Sequence, residues 1–276
     1  MIVVVATPND VDDVRARVGE LGVRAIRVLS PTDHRRLVLA VVDDESHAHQ
    51  LAATLRDEGR IAVVRPDVGA RLQEWTRHTS PIAFGEHLSV CFAWSEGDRT
   101  AVAGTVELGL GGFGNGEHPT TRMLIEQLSR RITGGERVLD VGCGSGVLGL
   151  CALQLGASCV VAVDNQADSV EATRRNAALN AMDDRMRATL APLVELDDSF
   201  DVILANIGRG SMVELAPELV RLLSRNGWLG DSGFSPPQCS LVAGHLRPLV
   251  ELERQTDGEW SALFVARRRS PTAECS

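Results

Sequence analysis

The chain has no lysine and no tyrosine, and all 28 of its basic side chains are arginine. Without a side-chain ammonium of its own it forms no Schiff base and offers no P-loop lysine to a nucleotide. Positive charge is in short supply overall. The formal net charge is -9, which disfavours a nucleic-acid partner, because phosphate contacts need a basic face, and suits a positively charged one. No apolar run approaches the length of a membrane span. The start of the chain, Met1-Ile2-Val3-Val4-Val5-Ala6, lacks a basic leader and is too short for a signal-peptide core. A reducing cytoplasm is therefore the expected compartment, with no membrane partner. The six cysteines (Cys91, Cys143, Cys151, Cys159, Cys239 and Cys275) contain no Cys-x-x-Cys pair and no Cys/His cluster with zinc spacing. No metal site is expected, and the cysteines read as buried or partly buried free thiols. Cys143 stands apart only because it lies in a glycine-rich loop.

What is present suffices for a packed core. Hydrophobic residues make up 44% of 276 residues, enough for one large domain or for an ordinary domain with a small one attached. Residues 1–66 alternate regularly. Ile2–Ala6 reads as a buried strand. Pro8-Asn9-Asp10 opens a helix carrying Val11, Val14, Val18 and Leu21 at helical spacing, and Gly22 ends it. Val23–Leu29 and Leu37–Val42 are β-branched runs separated by a turn cluster. Glu45–Glu58 reads as a second helix, and Ile61–Val64 as a last strand. The order β-α-β-β-α-β is the ferredoxin-like, split βαβ arrangement. This small α+β domain carries no catalytic constellation and is taken as a recognition module.

Residues 67–112 form a connector: a helix over Val68–Arg77 containing Trp75, Pro81, and two strands over Leu88–Trp94 and Thr100–Leu108. The connector runs into a glycine-dense stretch, 109–116, which signals either a flexible link or backbone brought close to a ligand. From 119 onward helices and strands alternate, and Leu249–Arg254 and Trp260–Arg267 close the chain as a strand pair. That alternation predicts an open, mostly parallel sheet with helices on both faces. Such sheets bind ligands outside the carboxyl ends of their strands.

The densest chemistry lies in Val138-Leu139-Asp140-Val141-Gly142-Cys143-Gly144-Ser145-Gly146, where a strand enters a glycine-rich loop and then a helix. Gly142, Gly144 and Gly146 allow a tight turn and close approach of backbone to a ligand. Asp164, followed by Asn165, ends the next strand, where a carboxylate can accept from two ribose hydroxyls. Gly144-x-Gly146-x-x-Gly149 with Asp164 also satisfies a dinucleotide fingerprint, so a nicotinamide-dependent oxidoreductase is one reading. Asp140 separates the two. A carboxylate there repels a pyrophosphate but attracts the ammonium and sulfonium of S-adenosylmethionine (SAM).

Two further clusters accompany this loop. Phe113-Gly114-Asn115-Gly116-Glu117-His118-Pro119-Thr120-Thr121 precedes the first helix of the alternating region and reads either as a loop with a helix cap or as a lid over a ligand. Asp201-Val202-Ile203-Leu204-Ala205-Asn206 is an apolar strand ending in an amide. Asn206 can accept a hydrogen bond from a substrate N–H, or it can cap the next helix, and position alone does not decide.

Together these segments resemble the PrmA-type methyltransferases, which methylate ribosomal protein L11. The resemblance rests on residues 113–121 and 140–146, on Ala205-Asn206-Ile207, and on Glu214-Leu-Ala-Pro217, Asp231-Ser-Gly233 and Gly258-Glu-Trp260. It spans nearly the whole chain, and residues 113–121 are its most specific part. It implies a Rossmann-like class I methyltransferase sheet, mostly parallel, of seven strands with an antiparallel last strand, in a catalytic domain over 113–276. It implies that Asp140, Gly142, Gly144, Gly146, Asp164 and Asn165 hold SAM, that Phe113, Gly114, Asn115 and Thr120 close over its methionine end, and that Asn206 lies beside both donor and target amine as the catalytic residue. The implied partner is ribosomal protein L11, methylated on lysine ε-amines, its N-terminal amine or both. Another protein lysine, a small-molecule amine, or SAM binding without catalysis are the alternatives. The chain departs from the pattern at Asn115, where Thr is usual, at Gly208-Arg209, where Leu-Ala is usual, and at Arg225-Asn226-Gly227-Trp228, which replaces a usual Pro-Gly.

Overall fold

The computed structural model describes residues 2–7, 9–23, 25–29, 36–42, 44–60, 62–64, 81–92, 104–109, 114 and 116–268. The helix expected over Val68–Arg77 with Trp75, the strand ends expected at 93–94 and 100–103, and two expected ligand contacts, Phe113 and Asn115, lie outside the described residues.

The chain divides into two compact units. The first contains β1 (Ile2–Ala6), α1 (Val11–Glu20), β2 (Ala25–Leu29), β3 (Arg36–Val41), α2 (Glu45–Asp57) and β4 (Ala62–Val64). Its sheet runs β2-β3-β1-β4 with every pairing antiparallel. Alternate residues of β1, namely Ile2, Val4 and Ala6, turn inward to meet Val14 and Val18 of α1 and Leu51, Ala52 and Leu55 of α2. The Asp44 carboxylate starts α2 by accepting from the His47 amide at 2.7 Å. A separate three-stranded sheet follows, of β5 (Ile82–Phe84), β6 (Leu88–Phe92) and β7 (Thr105–Leu108) in that order. β5 was not expected, because three residues are too few to display a strand period. It pairs with β6 around Gly85, whose φ of 70° suits the turn.

The second unit holds the α/β sheet. Its strands are β8 (Arg137–Val141), β9 (Cys159–Val163), β10 (Met186–Thr189), β11 (Phe200–Asn206), β12 (Leu223–Phe234), β13 (Val250–Asp257) and β14 (Trp260–Ala266). Its helices are α3 (Pro119–Arg131), α4 (Val147–Gln154), α5 (Ala167–Leu179), α6 (Arg209–Leu222) and α7 (Cys239–His245). The spatial order is β10-β9-β8-β11-β12-β14-β13. The neighbours from β10 to β12 pair in parallel, and β14 runs antiparallel to both strands beside it. This is the seven-stranded, mostly parallel sheet with an antiparallel last strand that was expected. The order turns back between β8 and β11, so the crevice opens at their carboxyl ends.

Local sequence explains the layers. β8, β9 and β11 are apolar almost throughout, because helices cover both faces of the sheet. α4 is apolar on every side and buried along nearly its whole length. On one face α6 and α7 pack Met212, Ala216, Leu219, Cys239 and Val242 over Ile203, Ala205, Leu229 and Leu263. On the other face α3 lies close to β12, since a Cβ at Gly230 would stand only 3.1 Å from Leu124 Cδ2. β12 begins at Leu223, directly after α6. Ser224-Arg225-Asn226-Gly227 has loop chemistry. It extends the strand through tertiary pairing, with an irregularity between Phe200↔Leu223 and Val202↔Trp228.

Candidate active site

The glycine loop turns where β8 ends. Gly142, Gly144 and Gly146 have φ of 70°, 55° and 80°, a region that L side chains rarely enter. The Gly142 and Cys143 amides donate to the Val163 carbonyl at 2.9 and 3.1 Å, tying the loop to the end of β9. A Cβ on Gly142 would lie 2.5 Å from Ile207 Cγ2, and one on Gly146 would lie 2.8 Å from Thr173 Cγ2. These two glycines therefore make room for protein neighbours as well as for the turn. Gly149 does the same inside α4, against Met186 Cε at 2.7 Å and Val160 Cγ1 at 2.8 Å. The third glycine of the apparent dinucleotide fingerprint thus serves helix-to-strand packing.

Asp164 holds the loop from the next strand. Its Oδ2 accepts from the Gly144 amide at 3.0 Å, and its Oδ1 accepts from the Gln166 amide at 3.0 Å. Each carboxylate oxygen retains a second lone pair for a ligand hydroxyl. Asn165 is exposed on the turn into α5. Asp140 lies on β8 one residue before the strand ends. It is buried, its Oδ2 accepts from the Gly149 amide at 3.1 Å, and its Oδ1 has no partner among the described residues. Burial, together with the nearby Asp164 charge, pushes its carboxyl up to about 7. Sitting on the third residue of α4, this acid also occupies the positive end of the helix that a pyrophosphate would need. Its unpaired oxygen fits a cationic ligand instead.

Residues that sequence reasoning passed over complete the cradle. Ser145 Oγ donates to the Gly114 carbonyl at 2.5 Å, drawing the 113–121 segment onto the loop. Asn176 Nδ2 donates to the Ser145 carbonyl at 2.8 Å, and Thr173 Oγ1 donates to the Gly144 carbonyl at 3.2 Å. Both are buried on α5. Polar side chains on the otherwise buried face of a helix were the available signal.

The third and second clusters meet. His118 caps α3, its Nδ1 lying 3.4 Å from the donating Thr120 amide and 2.8 Å from Thr120 Oγ1. The His118 ring stands edge-on to Trp260 at 5.0 Å. One residue further, buried Thr121 receives a 3.0 Å hydrogen bond on Oγ1 from Asn206 Nδ2. Asn206 therefore does not cap α6. It lies across the crevice from the first turn of α3, and in register with Ser232 of β12. Beside it Asp231 is buried with both carboxyl oxygens unpartnered among the described residues, and burial holds it well above the usual carboxylate range.

The family model for ribosomal protein L11 methyltransferase (PrmA) matches residues 34–268. The chain belongs to the ribosomal protein L11 methyltransferase family. It is a SAM-dependent methyltransferase, and S-adenosylmethionine is its cofactor. Similar members include the ribosomal protein L11 methyltransferase of Pectobacterium carotovorum, 33% identical over 245 residues, which are 84% of this chain and 81% of that protein. That of Alteromonas mediterranea is 34% identical over 229 residues, 79% of this chain and 78% of that protein. The crystal structure of the ribosomal protein L11 methylase from Lactobacillus delbrueckii superposes with a TM-score of 0.62 at 30% identity, covering 68% of this chain and 99% of that one. The family assignment agrees with the Asp140 geometry in favouring SAM over a dinucleotide. No described helix is long and apolar enough to cross a membrane.

Proposed function

We propose that this methyltransferase transfers methyl groups to amino groups of ribosomal protein L11, lysine ε-amines, the N-terminal amine or both, and that Asn206 meets the acceptor amine. The observation that carries this reading is the Asn206–Thr121 hydrogen bond. With Nδ2 committed to Thr121, the Asn206 amide presents its Oδ1 to an incoming N–H donor at the carboxyl end of β11. When bound, SAM supplies a methyl group activated by its sulfonium.

The chain's part is to hold and orient. Asp164 and the amides of 142–146 fix the donor, with Asp140, Gly114 and Thr120 beside it, while Phe113, Asn115 and Asn165 extend the donor contacts. Asn206 fixes the acceptor nitrogen. Deprotonating a lysine of ordinary pKa at pH 7 costs about 4–5 kcal/mol, and an N-terminal amine only about 1 kcal/mol. No strong base is needed if the site favours the neutral amine. The remaining gain comes from aligning nitrogen, methyl carbon and sulfur.

Residues 1–66 serve in this reading as a ferredoxin-like recognition domain for a basic protein substrate, and their β2-β3-β1-β4 antiparallel order supports that fold. Residues 67–112 form the connection and 113–276 the catalytic domain. The enzyme acts in the cytoplasm, where its substrate is made. The test is methyl transfer from labelled SAM into purified ribosomal protein L11, with the modified amines located by mass spectrometry. Label on lysines or the N-terminus supports the proposal. Calorimetric SAM binding without label on L11 rejects the substrate.

A further inference from the structure

We propose that Arg209 raises the neutral, nucleophilic fraction of the acceptor amine by placing a permanent positive charge at the mouth of the Asn206 site. The inference rests on the reading that Asn206 meets that amine.

β11 ends at Asn206 and α6 begins at Arg209, with only Ile207 and Gly208 between them. Arg209 is exposed, and among the described residues its guanidinium makes no hydrogen bond or ion pair. Gly208 and Gly210 flank it with nothing within 4 Å of their Cβ positions, so the turn stands open around it. A cation on the first residue of a helix opposes the helix dipole and is locally unfavourable. α6 also lacks an acidic residue in its first turn, and so does α3, whose first turn supplies Thr121 to Asn206. α4 and α7 likewise lack one, whereas α1 carries Asp12 and Asp13 there and α5 carries Asp168. Exposed Arg122 follows Thr121 directly. The start of α6 is thus positive and without an acid, in a chain whose net charge is -9.

The carboxylates around the site are the same in every variant compared below, so they do not enter the difference that Arg209 makes. Asp231 on β12 is buried, and burial raises its carboxyl well above its ordinary value. Asp140 and Asp164 are engaged with the amides of Gly149, Gly144 and Gln166. Glu117 before α3 is half-buried and already partnered. Glu214 on α6 and Glu259 beside Trp260 are exposed and screened by water.

A like charge disfavours an ammonium. Exposed and three residues beyond Asn206, Arg209 lowers the pKa of a bound amine by about half a pH unit. One N–H bond of the bound ammonium breaks, the proton passes to solvent, and the electron pair stays on the neutral amine nitrogen. That pair then forms the N–CH3 bond while the C–S pair leaves with sulfur, and the methylated ammonium returns its extra proton to solvent.

The experiment is kcat for methylation of the N-terminal amine, whose ordinary pKa of about 7.7–8.0 puts both limb and plateau in range, against pH from 6 to 10, with ribosomal protein L11 and SAM both saturating. Wild type, Arg209→Gln, Arg209→Lys and Asn206→Ala are compared, with SAM affinity measured by calorimetry as a control for folding. Arg209→Gln is expected to move the rising limb up by about half a pH unit, lower kcat about threefold at pH 7, and rejoin wild type on the alkaline plateau. Arg209→Lys is expected to follow wild type. A profile for Arg209→Gln that is unchanged, scaled by one factor at every pH, or raised at pH 7 overturns the proposal. So does an Arg209→Lys profile that follows Arg209→Gln. An unaltered kcat in Asn206→Ala instead removes the reading on which it rests.

Discussion

Asn206 Nδ2 donates a 3.0 Å hydrogen bond to Thr121 Oγ1, joining residues 85 positions apart at the mouth of the crevice. Thr121 is buried and cannot turn away without leaving a polar group unpaired. Its hydroxyl therefore fixes which way the Asn206 amide faces. Thr121→Val keeps the shape and removes the acceptor. It is expected to lower kcat on ribosomal protein L11 by about 10- to 100-fold, the scale on which small misalignments act, with SAM affinity unchanged. Thr121→Ser is expected to restore most of the rate. Equal losses in kcat and SAM affinity would show that Thr121 serves the fold rather than the alignment.

Asp231 is buried in an apolar layer with no partner for either oxygen among the described residues. Its carboxyl is held well above its ordinary value by burial, so the native state keeps a proton that the unfolded chain releases. Stability is accordingly fullest below the unfolded pKa of about 3.9 and falls as pH rises toward the native value. Asp231→Leu is expected to raise stability at pH 8 by about 1–3 kcal/mol, with the difference from wild type shrinking toward pH 4. Urea unfolding at the two pH values measures it.

Asp140 titrates near neutrality, at about 7, because burial and the Asp164 charge oppose its ionised form. Its contribution to stability has the same sign as that of Asp231 and is lost between about pH 4 and 7. Ionised, it attracts the cationic ligand, so SAM affinity is expected to strengthen as pH rises from 6 to 8. In Asp140→Asn the amide cannot acquire the charge, and the pH dependence should flatten. Calorimetry at three pH values distinguishes the two profiles.

Gly142 combines a φ of 70° with a Cβ position 2.5 Å from Ile207 Cγ2. Gly142→Ala is expected to weaken SAM binding at least about tenfold, since both the turn and the contact must yield. Adding Ile207→Ala relieves the clash but not the backbone, so only part of the affinity should return. Complete recovery would mean that sterics alone fixes the residue as glycine.

Asn176 and Thr173 support the loop from α5. Asn176→Leu leaves the Ser145 carbonyl without its buried donor and is expected to cost about 1–3 kcal/mol of stability. Because Ser145 also reaches Gly114, SAM affinity should fall together with melting temperature.

Much of the catalytic unit was legible in the sequence. Apolar runs such as those of β8, β9 and β11 mark central strands because both faces of a parallel sheet are covered. The glycines between Asp140 and Val147 mark the turn because their backbone angles exclude side chains. Acids at 140 and 164 and the amide at 206 are polar residues at strand ends, where such sheets bind ligands. Local periodicity and residue chemistry suffice for these features.

Tertiary structure alone decided the rest. β5 is too short to carry a period, and the start of β12 has loop chemistry that pairing with β11 overrides. Only the folded chain shows that Gly142, Gly146 and Gly149 make space for Ile207, Thr173 and Met186, that Asp140 is buried against Gly149, and that Asn206 turns to Thr121 rather than capping α6. Each of these facts depends on segments distant in sequence that packing brings into contact. Composition and spacing set which groups are available, and the meeting of α3, α5, β8 and β11 sets which of them are paired, buried or left facing the ligand.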